Sequence, residues 1–439
     1  MSVLGQFKQD PGRRGPMSIA EAFDMVVGPV EGLSFTAYDG SRTGSADAPI
    51  QLRLVNPRGL AYIAGAPSSL GMARAYLMED LEVDGIHPGD PYELLRRAQT
   101  LLAPKRPAPA DAARALRSFG KLALTMPPPP PNEVPSGWHR ALHGLRHSQR
   151  RDAEAIHHHY DVSNRFYEIV LGSSMAYTCA CYPSDSATLE EAQANKFDLV
   201  CRKLGLQPGM RLLDVGCGWG GMVRHAVREY GVTAIGVTLS KDQAQWAQAA
   251  IAADGLSGKA TVRHQDYRHV AETGFDAVSS IGLTEHIGVH NYPAYFRFLR
   301  SRLVPGGRLL NHSITRMDNL HPGIKRRGFI DRYVFPDGEL TGVGSIITAM
   351  QDEGLEVQHE ENLRRHYART LAAWCDNLVQ GWDEAVAEAG LATAKVWGLY
   401  MAGSRLAFDR QDIELHQVLA TRTDEGGDPH FPMRPDWGV

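Results

Sequence analysis

The feature that most constrains this chain is a short apolar run that ends in glycines and opens directly into a helical pattern. It reads Leu212-Leu213-Asp214-Val215-Gly216-Cys217-Gly218-Trp219-Gly220-Gly221. Glycines at such a junction let the backbone turn sharply and approach a ligand that a Cβ would exclude. The next hundred residues keep the same rhythm. A helix is expected over 222–230, a strand over 233–239 (TAIGVTL), and a helix from the N-cap Ser240 to about Ala253. Further strands are expected at 260–266 (ATVRHQD), 275–282 (FDAVSSIG) and 307–314 (GRLLNHSI). Strands separated by helical stretches require crossover connections, hence an α/β fold with a doubly wound, mostly parallel sheet. Ligands of such sheets bind beyond the carboxyl ends of the strands.

The glycines alone do not name the ligand. Gly216, Gly218 and Gly221 satisfy the dinucleotide pattern, whereas Gly216, Gly218 and Gly220 satisfy the G-x-G-x-G loop of methyltransferases. A dinucleotide site needs an acidic residue at the end of the second strand to hold the ribose hydroxyls. The chain has Val237-Thr238-Leu239-Ser240 there. Asp214 before the glycines and Gln265-Asp266-Tyr267 at the third strand's end suit S-adenosylmethionine instead. In that reading the Thr238 and Ser240 hydroxyls and Gln243 lie near the ribose, and Asp266 accepts from the adenine amino group.

Around this core, the 439 residues divide at a proline-rich, basic stretch. Residues 1–103 read as a small mixed N-terminal domain, with a strand at 50–55 (IQLRLV) and helical patterns at 71–81 and 91–102. Residues 104–152 read as a linker containing five consecutive prolines, 127–131, and residues 153–439 as the methyl-donor domain. With 46 basic against 50 acidic residues, the net charge of −4 gives no footprint for nucleic acid. Five cysteines without a paired metal spacing read as reduced thiols, with no metal site expected, and His157 to His159 read as structural or substrate-edge residues. No apolar run reaches membrane-spanning length, and the N-terminus lacks a secretory signal's apolar stretch, so a cytoplasmic location is expected.

Motifs in a fixed order then carry a resemblance. They are HHYDVSNRFYEIVLG (158–172), AYTCACY (176–182), LEEAQANK (189–196), LLDVGCGWGG (212–221), GVTLSKDQ (236–243), SSIGLTEHIG (279–288), LLNHSIT (309–315) and HYARTL (366–371). The segment 157–419 resembles the cyclopropane fatty acid synthase family, which includes the mycolic acid cyclopropane synthases. Its members use S-adenosylmethionine to modify cis double bonds of lipid acyl chains. The resemblance implies a class I methyltransferase fold and a methyl-donor set of Tyr177, Thr178, Asp214, Gly216, Gly218, Thr238, Leu239, Ser240, Gln243, Asp266, Tyr267 and Ile281. It also implies a bound bicarbonate ion as base, held by Cys179, Glu285, His312 and Tyr367 with backbone help near Ile281 and Gly282. Glu285 would either orient the ion's hydroxyl or hold His312 protonated. Thr284 stands where many cyclopropane synthases carry an aromatic residue. With CACY, GFIDRYVFPDGEL (328–340) and KVWGLYMAG (395–403), it resembles the actinobacterial branch that makes tuberculostearic acid. That branch places a methylene group at carbon 10 of an oleoyl chain, and a separate reductase partner saturates it. A cyclopropane at the same bond is the alternative product.

An alkene is a poor nucleophile, so the sulfonium methyl must be held in line, which contributes on the order of 7–11 kcal/mol. The carbocation left on the chain requires a dry cavity. Reaching an unsaturated phospholipid also requires a membrane surface, with the protein peripheral to the inner face. Nine basic residues between Lys105 and Arg151 face only Asp111 and Glu133, and Arg114, Arg117 and Lys121 share one helical face, a candidate interfacial helix. Homo-oligomerisation is left open by the sequence.

Overall fold

The computed structural model describes residues 15–66, 69–98, 108–120, 127–130, 133, 162–320, 328–335 and 338–437. They fall into two units, Met1–His87 with Glu93–Glu133, and Pro88–Tyr92 with Val134–Val439.

In the first unit, Ser18 and Glu21 form a reciprocal capping box that starts α1 (Ile19–Val27). Strands β1 (Leu33–Ala37), β2 (Arg42–Thr43) and β3 (Ile50–Leu54) follow, then helices α2 (Pro57–Gly65) and α3 (Ser69–Leu77). Strand β4 (Leu81–Asp84) and helices α4 (Tyr92–Arg97) and α5 (Pro109–Phe119) complete it. The sheet order is β2-β1-β3-β4. Strict alternation of buried and exposed residues along β3 follows from one face packing on the helices. The helix expected over 71–81 ends at Leu77, because Glu79 takes a left-handed φ of 59° and Leu81 already belongs to β4. Of the helical pattern at 91–102, residues 92–97 are helical, and 99–102 lie outside the described residues.

The expected linker is in part an element of this unit. Met17 N–H donates to Ser118 Oγ at 2.6 Å, and Tyr62 O–H donates to the Pro128 carbonyl at 2.6 Å. Arg74 holds Glu133 in a bidentate pair at 2.6 Å, both side chains buried. Of the basic face expected on α5, Arg117 is exposed and Arg114 is partly buried. Arg114 is spent on Glu21 and the Gly15 carbonyl, and Phe119 packs on the unit's core. Lys121 and six further basic residues of that stretch, like His157 to His159, lie outside the described residues.

The second unit begins with α6 (Asn164–Leu171) and α7 (Leu189–Leu204) and then alternates. Its elements run β5 (Arg211–Val215), α8 (Gly221–Tyr230), β6 (Thr233–Thr238), α9 (Lys241–Ala253), β7 (Ala260–His264) and β8 (Phe275–Ile281). Next come α10 (Thr284–Ile287), α11 (Tyr292–Arg302), β9 (Leu303–Arg316), α12 (Phe329–Tyr333), α13 (Val343–Asp352) and β10 (Glu356–Asn362). Helices α14 (Arg364–Gln380), α15 (Trp382–Ala389) and α16 (Leu391–Asp409) lead to β11 (Ile413–Thr421). The sheet order is β10-β11-β9-β8-β5-β6-β7. Strands β5 to β9 pair in parallel, and β11 runs antiparallel to both β9 and β10. One apolar core lies on each face of the sheet. The chain passes from β5 through β6 to β7 and then returns to β8 on the other side of β5. The topological switch therefore falls between β5 and β8, where a crevice opens.

Candidate active site

The glycine loop after β5 adopts the backbone its composition requires. Gly216, Gly218 and Gly220 have φ of 76°, 53° and 74°, a region that side chains rarely enter. A Cβ on Gly218 would meet only open space, so the backbone there faces a cleft. That cleft holds about 1090 Å³ of empty space, in part open to solvent. Its walls are the carboxyl ends of four parallel strands: Asp214 to Gly218, Val237 to Leu239, Gln265 with Tyr267, and Ile281 to Leu283.

Of the twelve expected methyl-donor residues, ten line it: Tyr177, Thr178, Asp214, Gly216, Gly218, Thr238, Leu239, Gln243, Tyr267 and Ile281. Ser240 and Asp266 do not, and the structure shows why. Ser240 is occupied as the N-cap of α9, accepting from Gln243 N–H at 3.3 Å. Asp266 caps the turn at Tyr267–His269 and is bound in a fork by Arg268 at 2.7–3.1 Å. Hydrogen bonds from Arg268 hold its carboxyl below the usual range against burial. Thr238 Oγ1 donates to Gln243 Oε1 at 2.7 Å, which fixes the amide at the cleft wall. Asp214 is fully buried, accepts from Ser279 Oγ at 2.6 Å, and is pushed up to about 6 by burial.

None of the four expected base-site residues lines this cleft, but Cys179 adjoins its residue Thr178, Glu285 adjoins its residue His286, and His312 pairs with its residue Ile281. Cys179 follows Thr178 in an irregular segment between α6 and α7, rather than in a helix. Its thiol is fully buried, which drives its pKa up, and points to the carbonyls of Ala180 at 3.1 Å and Leu363 at 3.8 Å. The Leu363 carbonyl also accepts from Tyr367 N–H at 3.1 Å, and Leu363 N–H donates to Leu415 on β11 at 2.8 Å. These bonds bring Cys179, the first turn of α14 and β11 together. Tyr367 is buried against Trp374 and Phe408.

His312 lies on β9 opposite Gln417 of β11, and its Nδ1 is 3.2 Å from Gln417 Nε2. Glu285, on the one-turn helix α10, accepts from Ile314 N–H at 2.7 Å through Oε1. Its carboxylate thus continues the edge of β8 beside β9. Burial pushes it up to about 7. Two atoms here are buried without a partner among the described residues: Glu285 Oε2 and His312 Nε2. Buried polar atoms of this kind can pair with a bound group, and with a proton on each the two could donate to a small oxyanion.

Two details of the expected cradle change. Gly282 N–H is not available to an ion, because it donates to the His312 carbonyl at 2.8 Å. Burial and the charges of Lys196 and Lys203 lower the His312 pKa well below its usual value, which works against the expected protonated imidazole. Thr284 is fully buried and its hydroxyl donates to Asn311 Oδ1, which ties the start of α10 to β9 beside His312.

Sequence reasoning missed Lys196, a fully buried cleft residue whose ammonium donates to Thr178 Oγ1 at 2.8 Å. Burial pulls it down to about 8. A signal existed. Lys196 and Lys203 stand seven residues apart on the stripe of α7 that also carries Ala192, Val200 and Leu204, where a solvated lysine has no place. Trp219, Leu283 and His286 also line the cleft. Rings of Tyr167, Tyr177, Trp219, Trp374 and Trp397 pack at centroid separations of 4.6–6.0 Å around it.

Comparison with known proteins converges on this arrangement. Residues 147–418 match the family described as mycolic acid cyclopropane synthetase. The chain is 59% identical over 424 residues to "Probable fatty acid methyltransferase Rv3720" of Mycobacterium tuberculosis, spanning 96% of this chain and 99% of that protein. It is 35% identical over 272 residues to the cyclopropane-fatty-acyl-phospholipid synthase of Escherichia coli, spanning 61% and 68%. Among solved structures, the mycolic acid cyclopropane synthase CmaA1 complexed with SAH and CTAB superposes with a TM-score of 0.57 at 32% identity, covering 61% of this chain and 97% of that one.

Proposed function

The chain belongs to the mycolic acid cyclopropane synthetase family of S-adenosylmethionine-dependent methyltransferases that act on lipid acyl chains, and from that premise we propose its substrate, base and product. The substrate is the cis double bond of an oleoyl-type phospholipid chain, met at a membrane surface, and the product is a 10-methylene chain that a separate reductase would saturate. The observation that carries the reading is the pair of partnerless buried atoms, Glu285 Oε2 and His312 Nε2, on residues that adjoin His286 and pair with Ile281 of the cleft.

S-adenosylmethionine held in the cleft supplies the methyl carbon as a sulfonium. The chain's own groups provide the rest. The glycine loop, the Gln243 amide and the wall at Tyr177 and Thr178 orient the donor, so that the alkene meets it in line. The surrounding rings exclude water and present π faces to positive charge. Glu285, His312, Cys179 and Tyr367 would hold bicarbonate, which supplies a base for a proton of the newly added methyl. A neutral imidazole and a carboxyl titrating near neutrality can both donate to an anion, which favours its binding in a buried place.

The product depends on which cation the base meets. Proton loss before any hydride shift closes a cyclopropane, and loss after the shift leaves a methylene. Thr284, tied to Asn311, sets the position of the adjacent Glu285 carboxylate and favours the second outcome. The test uses dioleoyl phospholipid vesicles and S-adenosylmethionine in carbon dioxide-purged buffer, with and without added bicarbonate. Turnover should require bicarbonate, and proton NMR of the extracted chains should show vinylidene protons. Upfield ring protons alone would assign a cyclopropane, and turnover indifferent to purging would remove the bicarbonate.

A further inference from the structure

We propose that Lys203 and Gln417 are positioning residues that fix His312 as the Nε2–H tautomer, making the imidazole a one-way donor toward the space beside Glu285. The inference rests on the proposed anion site for its purpose, but its geometry stands without it.

Lys203 lies on α7 with its side chain fully buried. An ammonium has donors only. Lys203 Nζ donates to the Glu361 carboxylate, which reaches solvent, and to Gln417 Oε1 at 2.7 Å. That second bond decides the orientation of the Gln417 amide. With Oε1 turned to the ammonium, the amide presents its NH2 to His312, and Nε2 is 3.2 Å from His312 Nδ1. Two N–H groups cannot face each other in a dry interior, so Nδ1 must carry the lone pair and the ring proton must sit on Nε2. The reverse amide orientation would set an NH2 against a buried ammonium, donor facing donor, with only the Glu361 carboxylate left to accept from it among the described residues, a costly arrangement. His312 Nε2 is the atom that is buried and has no partner among the described residues. The chain Glu361–Lys203–Gln417–His312 therefore runs from the surface to the reaction space and orients one proton at its end. The cross-strand register that puts Gln417 opposite His312 keeps the two on one face of the sheet. A second proton on the ring is opposed by burial and by the nearby positive charges of Lys196 and Lys203.

The test is nitrogen NMR on the full chain with labelled histidine imidazoles, the His312 signals being assigned by their loss in His312→Gln. The wild type should show Nδ1 unprotonated and Nε2 protonated. Gln417→Glu keeps the size and gives Lys203 an acceptor, but it faces Nδ1 with an acceptor too. Nδ1 should then become protonated, and kcat should fall roughly 10- to 100-fold, as for other residues that orient a site histidine, with KM for S-adenosylmethionine unchanged. Lys203→Met frees the amide to turn and should give a mixture of tautomers with an intermediate loss. A wild-type His312 protonated at Nδ1, an unprotonated Nδ1 in Gln417→Glu, or an unchanged kcat in that variant would each overturn the proposal. Bicarbonate-independent turnover alongside the expected wild-type tautomer would instead overturn the anion site and leave the tautomer assignment in place.

Discussion

Glu285 is a carboxyl group that the fold prefers uncharged, and that preference is measurable. Its folded pKa stands at about 7 against an ordinary 4.5, because burial penalises the charge. A group raised in this way contributes stability that is fully present below its unfolded pKa and lost as pH rises through the folded one. Glu285→Gln should therefore gain stability relative to wild type as pH rises from about 4 to about 8, by up to about 3 kcal/mol, since one pKa unit is about 1.4 kcal/mol. Thermal unfolding across that range checks it, and a difference that does not vary with pH would contradict it. The same variant should lose about 10²–10⁴-fold in turnover, the usual contribution of a proton-handling group, with donor affinity little changed. Gly218→Val puts a branched side chain at φ 53° and into the cleft. The side chain in the cleft should weaken S-adenosylmethionine binding by about ten-fold or more in a calorimetric titration, and the backbone strain should lower folding stability by about 1–3 kcal/mol. Residues such as Gly218 and Asp214 were readable because a turn at a strand end demands them locally. Lys203 and Gln417 were not, since their meaning depends on pairing across 214 residues of chain.

At the level of elements, the strand and helix boundaries from 211 to 282 follow closely from hydrophobic period and caps, because each crossover unit is a local object. Ser240 illustrates both the reach and the limit of that reading. Its place as N-cap of α9 holds, whereas its expected place in the donor cleft does not. Ser240→Ala should accordingly lower global stability by about 1 kcal/mol and leave donor affinity nearly unchanged; a large loss of affinity would return Ser240 to the site. Strands β10 and β11 escaped the alternation pattern. Their partners lie far away in sequence, β10 is polar and half exposed, and β11 is buried almost throughout, so neither shows the period of a half-buried strand. Yet β11 supplies Gln417, and its antiparallel pairing with β9 is what gives His312 a neighbour. The proline-rich stretch misled for the opposite reason. Its composition reads as a spacer, but the Tyr62 and Arg74 contacts that hold part of it come from 66 and 59 residues earlier in the chain.

At the scale of the whole molecule, the first unit depends on a pair buried inside it. Arg74→Met removes the bidentate charge-assisted hydrogen bonds to the buried Glu133 carboxylate and should destabilise that unit by about 1.5–3 kcal/mol, visible as an earlier calorimetric transition. No helix among the described residues is long and apolar enough to cross a membrane. On the basic face expected of helix α5, Arg114 is turned to Glu21 while Arg117 is exposed. Vesicle sedimentation with anionic and neutral lipids should locate the proposed lipid contact in the remaining basic residues of the 104–152 stretch. In the proposed reaction the second unit joins one carbon to an acyl chain and a proton then leaves that same carbon. Incubation with S-adenosylmethionine carrying a fully deuterated methyl group and dioleoyl phospholipid vesicles, followed by mass spectrometry of the released acyl chains, reads both events at once. The added carbon should retain two of its three deuterons; an unlabelled acyl chain, or one that retains all three, would contradict this chemistry.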